Sequence, residues 1–365
     1  MGFPRNDYLT AAREQKHSEN FISETLRYAD ELDGKGLPVI FDQQHLSYLM
    51  YMDYCDLKAL VGSVSACYKY FAIKKRQGGL RRIMSPYSNL RDVQVWIKEN
   101  ILDRIELPNY VTAFVKGRNI VENARMHERR KYILKVDIAN FFESIRMKQV
   151  YVAFKMMGYD KSVASWLASL CTAKIVKYKY EKLNDQEEVQ KLFKDLCNNS
   201  EPFLVQGAPT SPGLANIICK RMDKRMMGFA DKHGITYSRY ADDMTFSADE
   251  KNRLPKVSLI RKIVETEGFH LKGKKTELLH EGNRQIVTGL LVDDHVRVPG
   301  RYKKDIKRHL HFCLKYGGRE HFRRIAPDKA FGKEWLAGRI RYVQSVEPEA
   351  AKKLWSEFEK IDWGY

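Results

Sequence analysis

The stretch YSRYADDMTFS, residues 237–247, decides how this chain is expected to fold. Residues 236–240 and 245–247 are rich in aromatic and β-branched side chains, a pattern typical of two strands, and they flank the tetrapeptide Tyr-Ala-Asp-Asp. The two strands are expected to form a hairpin. Its tight turn would expose Asp242 and Asp243 side by side, and adjacent carboxylates in this setting favour a functional role over a structural one.

A third acidic residue ends another predicted strand. Residues 132–138 form a short apolar run suited to a buried strand, and Asp137 lies near its end. Transfer of a nucleotidyl group aligns a hydroxyl, a triphosphate and a leaving pyrophosphate around two divalent ions held by hard oxygen ligands. We therefore expect Asp137, Asp242 and Asp243 to converge, with the backbone carbonyl of Ile138 as a further ligand.

The composition predicts a polyanionic partner. The 64 Lys and Arg outnumber the 46 Asp and Glu, which gives a net charge of +18, and cations bind polyanions by neutralising phosphates and releasing counterions. Charge alone does not separate nucleic acid from an anionic membrane. The chain also has 20 Tyr, 17 Phe and 5 Trp, and aromatic rings beside cations suit base stacking, so we favour nucleic acid.

The cysteines and the hydropathy pattern indicate an intracellular protein. Six cysteines are scattered without a CxxC or Cys/His ligand spacing, so neither a zinc site nor a disulfide framework is predicted. No basic-then-apolar signal pattern begins the chain, and no stretch approaches the roughly 18 apolar residues of a spanning helix. We expect a soluble, cytoplasmic protein with no membrane partner.

Further patterns divide the chain. A β-hairpin is predicted at 68–86 from YKYFAIKK, a Gly-Gly turn and LRRIMSP, and helices are predicted at 91–102 and, as an inserted segment, within 173–205. RYKKDIKRHLHFCLKY, from residue 301, places apolar residues on one helical face and cations on the other. That face gathers Tyr302, Ile306, Leu310, Cys313 and Leu314.

Three segments resemble, in the right order, the central palm motifs of reverse transcriptases. They are VDIANFF (136–142), QGAPTSPGLANIIC (206–219) and YSRYADDMTFS (237–247). Two further elements narrow the family: NARMH (123–127) matches the retron NAxxH element, and VTG (287–289) matches the triplet that precedes the retron thumb. The chain therefore resembles a retron reverse transcriptase from about residue 36 onward.

The resemblance implies an α+β fold of the right-hand polymerase class, with fingers, a β-α-β-β palm and a helical thumb. We expect an N-terminal helical cap at 1–60, fingers at 61–130, a palm at 131–295 with the insert at 173–205, and a basic thumb at 296–365. It also implies that the three aspartates bind two Mg²⁺ ions and are the catalytic residues.

The resemblance assigns nucleotide contacts residue by residue. Phe142 occupies the position of the aromatic steric gate that excludes a ribose 2′-OH, whereas Phe141 is expected in the core. Gln206 would lie under the incoming nucleotide, Lys74 and Arg82 would face the triphosphate from the fingers, and Lys275 would balance the pyrophosphate. Lys75 and Arg81 are expected to be solvated, although the strand register decides which cations face inward.

Nucleic-acid contacts are predicted in three regions. Asn123 and His127 lie four residues apart, and their two alternatives are direct RNA contact and a hydrogen-bonded brace for the palm. In an apolar, strand-like run, the glycine of the VTG triplet would permit close approach of a nucleic-acid backbone. The remaining predicted contacts are Val287, Thr288 and Gly289 in that triplet, and Lys303, Lys304, Lys307 and Arg308 in the thumb.

The family resemblance further implies the reaction and the partners. A retron enzyme would copy a cognate structured non-coding RNA into multicopy single-stranded DNA from dNTPs, primed at an internal guanosine 2′-OH. The product would be a branched RNA–DNA hybrid, and a separate effector or toxin protein would complete an antiphage defence system. The alternatives are a group II intron, diversity-generating or other defence-associated reverse transcriptase, a catalytically idle RNA-binding scaffold, and a nucleotide cyclase.

Overall fold

The computed structural model describes residues 3–75, 78–183, 187–197, 201–273, 276–325 and 331–364. Within these ranges the helices are α1 (Arg5–Glu14), α2 (Glu19–Asp33), α3 (Gln43–Leu49), α4 (Tyr54–Ser63), α5 (Ser88–Asn100), α6 (Ile120–Arg125), α7 (Met147–Met157), α8 (Lys161–Cys171), α9 (Lys177–Glu181), α10 (Glu187–Cys197), α11 (Ser211–Ile218), α12 (Lys220–His233), α13 (Val257–Thr266), α14 (Gly300–Tyr316), α15 (Gly318–Ile325), α16 (Gly332–Val346) and α17 (Pro348–Phe358). The strands are β1 (Tyr68–Lys74), β2 (Leu80–Pro86), β3 (Tyr132–Asp137), β4 (Thr236–Tyr240), β5 (Asp243–Ala248), β6 (Glu277–His280), β7 (Ile286–Val287) and β8 (Leu290–Leu291).

These elements form two compact units. The first comprises Met1–Gly117, Ile138–Met226 and Val257–Lys272, and the second comprises Arg118–Asp137, Met227–Lys256 and Gly273–Tyr365. The first unit holds β1, β2 and most of the helices before α13. The second holds the six remaining strands and the four C-terminal helices. Among the described residues, no helix combines the length and apolar content needed to cross a bilayer.

The predicted hairpin at 68–86 is confirmed. Its strands β1 and β2 pair antiparallel, with Ala72 opposite Arg82 and Lys74 opposite Leu80. Because side chains alternate between the two faces of a strand, Lys74, Ala72 and Arg82 share one face, whereas Arg81 lies on the other. The register therefore supports the choice of Lys74 and Arg82 over their neighbours.

The predicted palm strands are also confirmed. β3, β4, β5 and β6 form one antiparallel sheet in the order β4-β5-β3-β6. In chain order the helices α7 to α12 lie between β3 and β4, which gives the β-α-β-β connection of a palm. The two central strands, β3 and β5, are anchored by buried apolar residues that also favour strand formation. These residues are Ile133, Val136, Met244 and Phe246.

The C-terminal helices share one apolar core with the β7-β8 hairpin. Val287 and Leu290 pack in the same cluster as Ile306, Leu310 and Cys313 of α14, and residues of α15 to α17 complete it. The expected basic helix is thus present at 300–316. The expectation that Leu314 joins its apolar face is wrong: it is 44% exposed. The buried His309 completes the stripe instead, because 306, 309, 310 and 313 follow the helical period more closely.

The inserted segment contains the expected helix, preceded by a shorter one. The stripe predicted within 173–205 buries Phe193 and Leu196 on α10. The segment is tied down at both ends, since Ala173 and Phe203 exchange backbone hydrogen bonds of 3.0 and 2.9 Å. A helix-capping arrangement is also expected from the sequence Asn184-Asp-Gln-Glu187, and its residues 184–186 lie outside the described residues.

Candidate active site

Strand register brings the three predicted aspartates together. Asp137 ends β3 directly opposite Asp243, the first residue of β5. In the β4-β5 hairpin Tyr240 pairs with Asp243, so Ala241 and Asp242 form the two-residue turn. One carboxylate oxygen from each aspartate lies within 4.8 Å of the other two. Residues distant in sequence therefore form one acidic cluster at the end of the central strands.

The cluster carries negative charge that the protein does not fully balance. Burial, a hydrogen bond with Asp137 and the charges of Asp137 and Asp242 raise the pKa of Asp243 to about 8, and Lys135 offsets only part of this. Three carboxylates this close repel one another unless a proton or a cation joins them. Hard oxygen ligands in this arrangement fit a divalent cation. The backbone carbonyl of Ile138 as a fourth ligand stays a prediction.

A buried arginine fixes the turn that carries Asp242. Arg239 of β4 has no exposed surface, and its Nη1 donates a 3.1 Å hydrogen bond to the carbonyl oxygen of Ala241. Ala241 itself has φ +57°, a conformation that L-residues adopt rarely and at a cost. Sequence analysis missed Arg239. The signal was present, because a charged residue between Ser238 and Tyr240 interrupts an otherwise uncharged strand.

His127 braces the same hairpin. Its Nδ1 lies 2.7 Å from Ser247 Oγ on β5, and its Nε2 lies 2.8 Å from Ser238 Oγ on β4. Burial lowers the pKa of His127 to about 3, so the ring is neutral. Both His127 and Asn123 have no exposed surface. Because a fully buried side chain cannot touch RNA without local opening, the geometry of His127 fits the bracing alternative. The role of Asn123 stays a prediction.

The VTG triplet forms a turn that supports the NAxxH helix. Val287 is buried in the core, while Thr288 and Gly289, at φ +47° and +86°, make the two-residue turn between β7 and β8. Thr288 Oγ1 donates a 3.0 Å hydrogen bond to the carbonyl of Ile120, the first residue of α6. The glycine is explained by its left-handed φ. Among the described residues, nothing lies within 4 Å of a Cβ placed there.

On the first unit, Arg82 is held in one orientation. Its Nε donates to Glu143 Oε1 at 2.8 Å, its Nη1 to the carbonyl of Leu192 at 2.9 Å, and its Nη2 to Asn140 Oδ1 at 3.3 Å. Lys74, on the same hairpin face, is exposed. Glu143 and Asn140 were not predicted as site residues, although both belong to the segment that begins at Asp137. Lys275 lies outside the described residues.

The loop of Gln206 is seated against the same hairpin. The backbone N–H of Met84 donates a 2.9 Å hydrogen bond to the carbonyl of Gln206, and the Gln206 side chain is half-buried. Gly207 follows at φ +125°, and a Cβ there would lie 2.6 Å from the carbonyl oxygen of Met84. Only glycine allows this approach, so the QG pair fixes where the loop crosses β2.

The two adjacent phenylalanines differ as their alternation predicts. Phe141 is buried, and its ring lies 5.9 Å from that of Phe269. Phe142 is only half-buried, and its ring centroid is 6.4 Å from that of Phe114. Phe114 is 52% exposed and has φ +59°. The partly open ring is thus at Phe142, the position proposed for the gate.

The predicted thumb cations fall into two groups. Lys303 Nζ forms an ion pair with Glu347 at 2.8 Å, and Arg308 pairs with Asp305 at 2.6 Å. The Lys303 side chain is 25% exposed, and its contact with nucleic acid stays a prediction. Lys304 and Lys307 are exposed. These two remain the better candidates for phosphate contact.

The fold and the acidic cluster define a polymerase of the right-hand class, and comparison with known proteins agrees. Residues 73–315 match the family model described as reverse transcriptase (RNA-dependent DNA polymerase). The chain belongs to this family and is an RNA-directed DNA polymerase.

Its relatives include several retron enzymes. It is 29% identical to the retron Ec86 reverse transcriptase of Escherichia coli, over 90% of this chain and 92% of that one. It is 30% and 31% identical to the retron Mx162 and Mx65 reverse transcriptases of Myxococcus xanthus, over 81% and 79% of this chain but only 61% and 63% of theirs. The predicted resemblance to retron-type reverse transcriptases is confirmed.

Proposed function

We propose that this protein is the polymerase of a retron and copies a cognate structured non-coding RNA into multicopy single-stranded DNA in the cytoplasm. The observation that carries the proposal is similarity to retron reverse transcriptases along nine-tenths of the chain, combined with an intact acidic cluster. The convergent carboxylates also argue against an idle scaffold, which would have no need to keep three mutually repelling groups together.

The proposed metal site consists of Asp137, Asp242 and Asp243, with the Ile138 carbonyl, around two Mg²⁺ ions. The ions would polarise the triphosphate and stabilise the charge that develops on the attacking and leaving oxygens. The protein supplies rigidity: Arg239 fixes the turn that holds Asp242, and His127 joins the two strands on either side of it. Both residues act by positioning the carboxylates.

The proposed nucleotide contacts are Lys74, Arg82, Phe142, Gln206 and Lys275. Lys74 and Arg82 share a hairpin face, which suits phosphate binding. The half-open ring of Phe142 suits selection of dNTPs by exclusion of a 2′-OH. We also propose that the chain is divided into four lobes: a helical cap at 1–60, fingers at 61–130, a palm at 131–295 and a thumb at 296–365.

The finer retron features are part of the same proposal. Synthesis would be primed from an internal guanosine 2′-OH of the RNA, which gives a branched RNA–DNA product. A separate effector protein, restrained by that product, would act in defence against phage. If deletion of the gene with its neighbours left sensitivity to a broad phage panel unchanged, the defence role would be refuted.

The reaction is tested by expressing the gene with its upstream flanking DNA. Extracted nucleic acid is run on a denaturing gel before and after treatment with RNase and debranching enzyme. We expect a short abundant DNA whose mobility shifts on debranching. It should disappear in the double variant Asp242→Asn, Asp243→Asn and persist in the control Asp231→Asn, an exposed carboxylate on α12.

Two outcomes separate the parts of the proposal. If no such DNA forms while the purified protein extends an annealed DNA primer on RNA, the retron assignment is refuted and the polymerase stands. If the double Asn variant still makes the DNA, the catalytic assignment of the aspartates is refuted.

A further inference from the structure

Arg82 is hydrogen-bonded by a part of the chain that lies outside the polymerase motifs. Of the three acceptors around Arg82, the carbonyl of Leu192 belongs to α10 of the inserted segment. The other two, Asn140 and Glu143, follow Asp137 in the first palm motif. Asn140 has φ +44°, a region that asparagine tolerates better than most residues. The insert and the motif thus meet at one guanidinium.

The insert is docked on the hairpin that carries Arg82 by buried contacts. Phe193 stacks on Tyr70 of β1 with ring centroids 5.3 Å apart, and neither ring is more than 8% exposed. The hydroxyl of Tyr70 in turn accepts a 3.0 Å hydrogen bond from the N–H of Val176. Lys179 Nζ donates to the carbonyl of Tyr68 at 2.8 Å. These contacts fix α9 and α10 against β1.

Two of the N–H donors of Arg82 are not used by any described residue. A guanidinium has five N–H donors in a fixed plane. Among the described residues, three of these donors are taken, one on each nitrogen. One N–H then remains on each terminal nitrogen, and both are available to donate to phosphate oxygens. The Arg82 and Glu143 side chains are only 17% and 10% exposed, so the guanidinium has little freedom to turn away.

We propose that Glu143 and the inserted helix α10 are positioning elements that set the affinity of this polymerase for dNTPs by holding the Arg82 guanidinium in its binding orientation. The proposal rests on the proposed role of Arg82 in triphosphate binding. Its physical basis is preorganisation: the entropy cost of ordering Arg82 is met on folding and not on nucleotide binding. Loss of the contacts that Arg82 makes with Glu143 and α10 weakens ground-state binding of the nucleotide and leaves the chemical step unchanged.

The first test is a double-mutant cycle on an RNA template with an annealed DNA primer. Glu143→Gln keeps the shape of the side chain and an acceptor oxygen but removes its charge. We expect it to raise KM for dNTPs about 5- to 20-fold with kcat within twofold. Glu143→Asp, which keeps the charge on a shorter side chain, should give an intermediate KM. Combined with Arg82→Lys, Glu143→Gln should add less than twofold, because both changes act on the same contact.

The outcomes distinguish the two levels of the proposal. If Arg82→Lys leaves KM for dNTPs unchanged, the nucleotide role of Arg82 is refuted, and the positioning proposal with it. If Arg82→Lys raises KM but Glu143→Gln does not, or if the two effects multiply, the positioning role alone is refuted.

The second test addresses α10. Phe193→Leu loosens the stack on Tyr70 and keeps an apolar side chain, and Lys191→Ala on the exposed face of the same helix is its matched control. We expect Phe193→Leu to raise KM for dNTPs about threefold, and to do so only when Arg82 is intact, whereas Lys191→Ala changes nothing. A fall in kcat at unchanged KM, or an equal effect in the Arg82→Lys background, would show that the helix only supports the fold.

Discussion

Repulsion among the three carboxylates should lower the free energy of unfolding of the metal-free protein, and the substitution Asp243→Asn should raise it again. The carboxylate oxygens lie within 4.8 Å of one another, so each ionised pair repels by about 3 kcal/mol at an effective dielectric constant of about 20. The metal-free protein avoids part of this by keeping a proton on Asp243, whose pKa is raised from 3.8 to about 8. Holding that proton at pH 7.5 costs up to about 5 kcal/mol.

Asparagine resembles the protonated carboxyl group and needs no proton. We expect Asp243→Asn to raise the free energy of unfolding by about 2 to 5 kcal/mol at pH 7.5 in EDTA, and the melting temperature by about 3 to 7 °C. Because the folded pKa lies above the unfolded one, wild-type stability falls as pH rises from about 4 to 8. The advantage of the variant should therefore shrink toward pH 4.

Calorimetric scans at pH 5.5 and 7.5, with EDTA or Mg²⁺, measure these effects. Mg²⁺ should stabilise the wild type by mass action and the variant much less, while polymerase activity is lost. Asp231→Asn, an exposed carboxylate, should stay within about 0.5 kcal/mol of the wild type. If the melting temperatures of Asp243→Asn and the wild type were equal at both pH values in EDTA, the calculated repulsion would be absent and the reasoning refuted.

Three other changes probe separate parts of the fold. The wild-type protein should lose stability on acidification from pH 6.5 toward 3, because the His127 ring, with its pKa lowered to about 3, takes up a proton in this range only when the chain unfolds. His127→Gln should make this loss smaller. Urea midpoints that changed in parallel with pH in the two proteins would contradict this. Gly207→Ala should lower polymerase activity at least tenfold, because its Cβ would lie 2.6 Å from a backbone oxygen, whereas Gly282→Ala, also at positive φ but in open space, should retain activity. Lys307→Ala should lower the slope of log K against log salt for RNA binding by about 1, and equal slopes for the wild type and Lys307→Ala would exclude that phosphate contact. Lys303→Ala should instead lower the melting temperature, since its ion pair with Glu347 is part-buried.

The sequence by itself determined the secondary structure around the site. A Gly-Gly hairpin signal predicted β1 and β2, a short apolar run predicted β3, and aromatic and β-branched residues predicted β4 and β5. The ordered motifs around Asp137, Gln206 and Asp242 predicted the polymerase class. These features are local, because strand periodicity, a Gly-Gly turn and adjacent aspartates are each encoded within about ten residues. The convergence of Asp137 with Asp243 followed from requiring the motifs to serve one reaction.

Only the tertiary structure decided which polar residues serve the surface and which serve the interior. Asn123 and His127 share a motif that permits RNA contact, yet both are buried, and the His127 ring lies between Ser238 and Ser247 of the hairpin. Lys303 belongs to a basic stripe, yet it forms a part-buried ion pair with Glu347, 44 positions away. Arg239 and Glu143 were not predicted as site residues, although Arg239 is the one charged residue in its strand. Their roles depend on partners from other elements, since the free energy of a buried charge is set by what surrounds it and not by its neighbours in sequence.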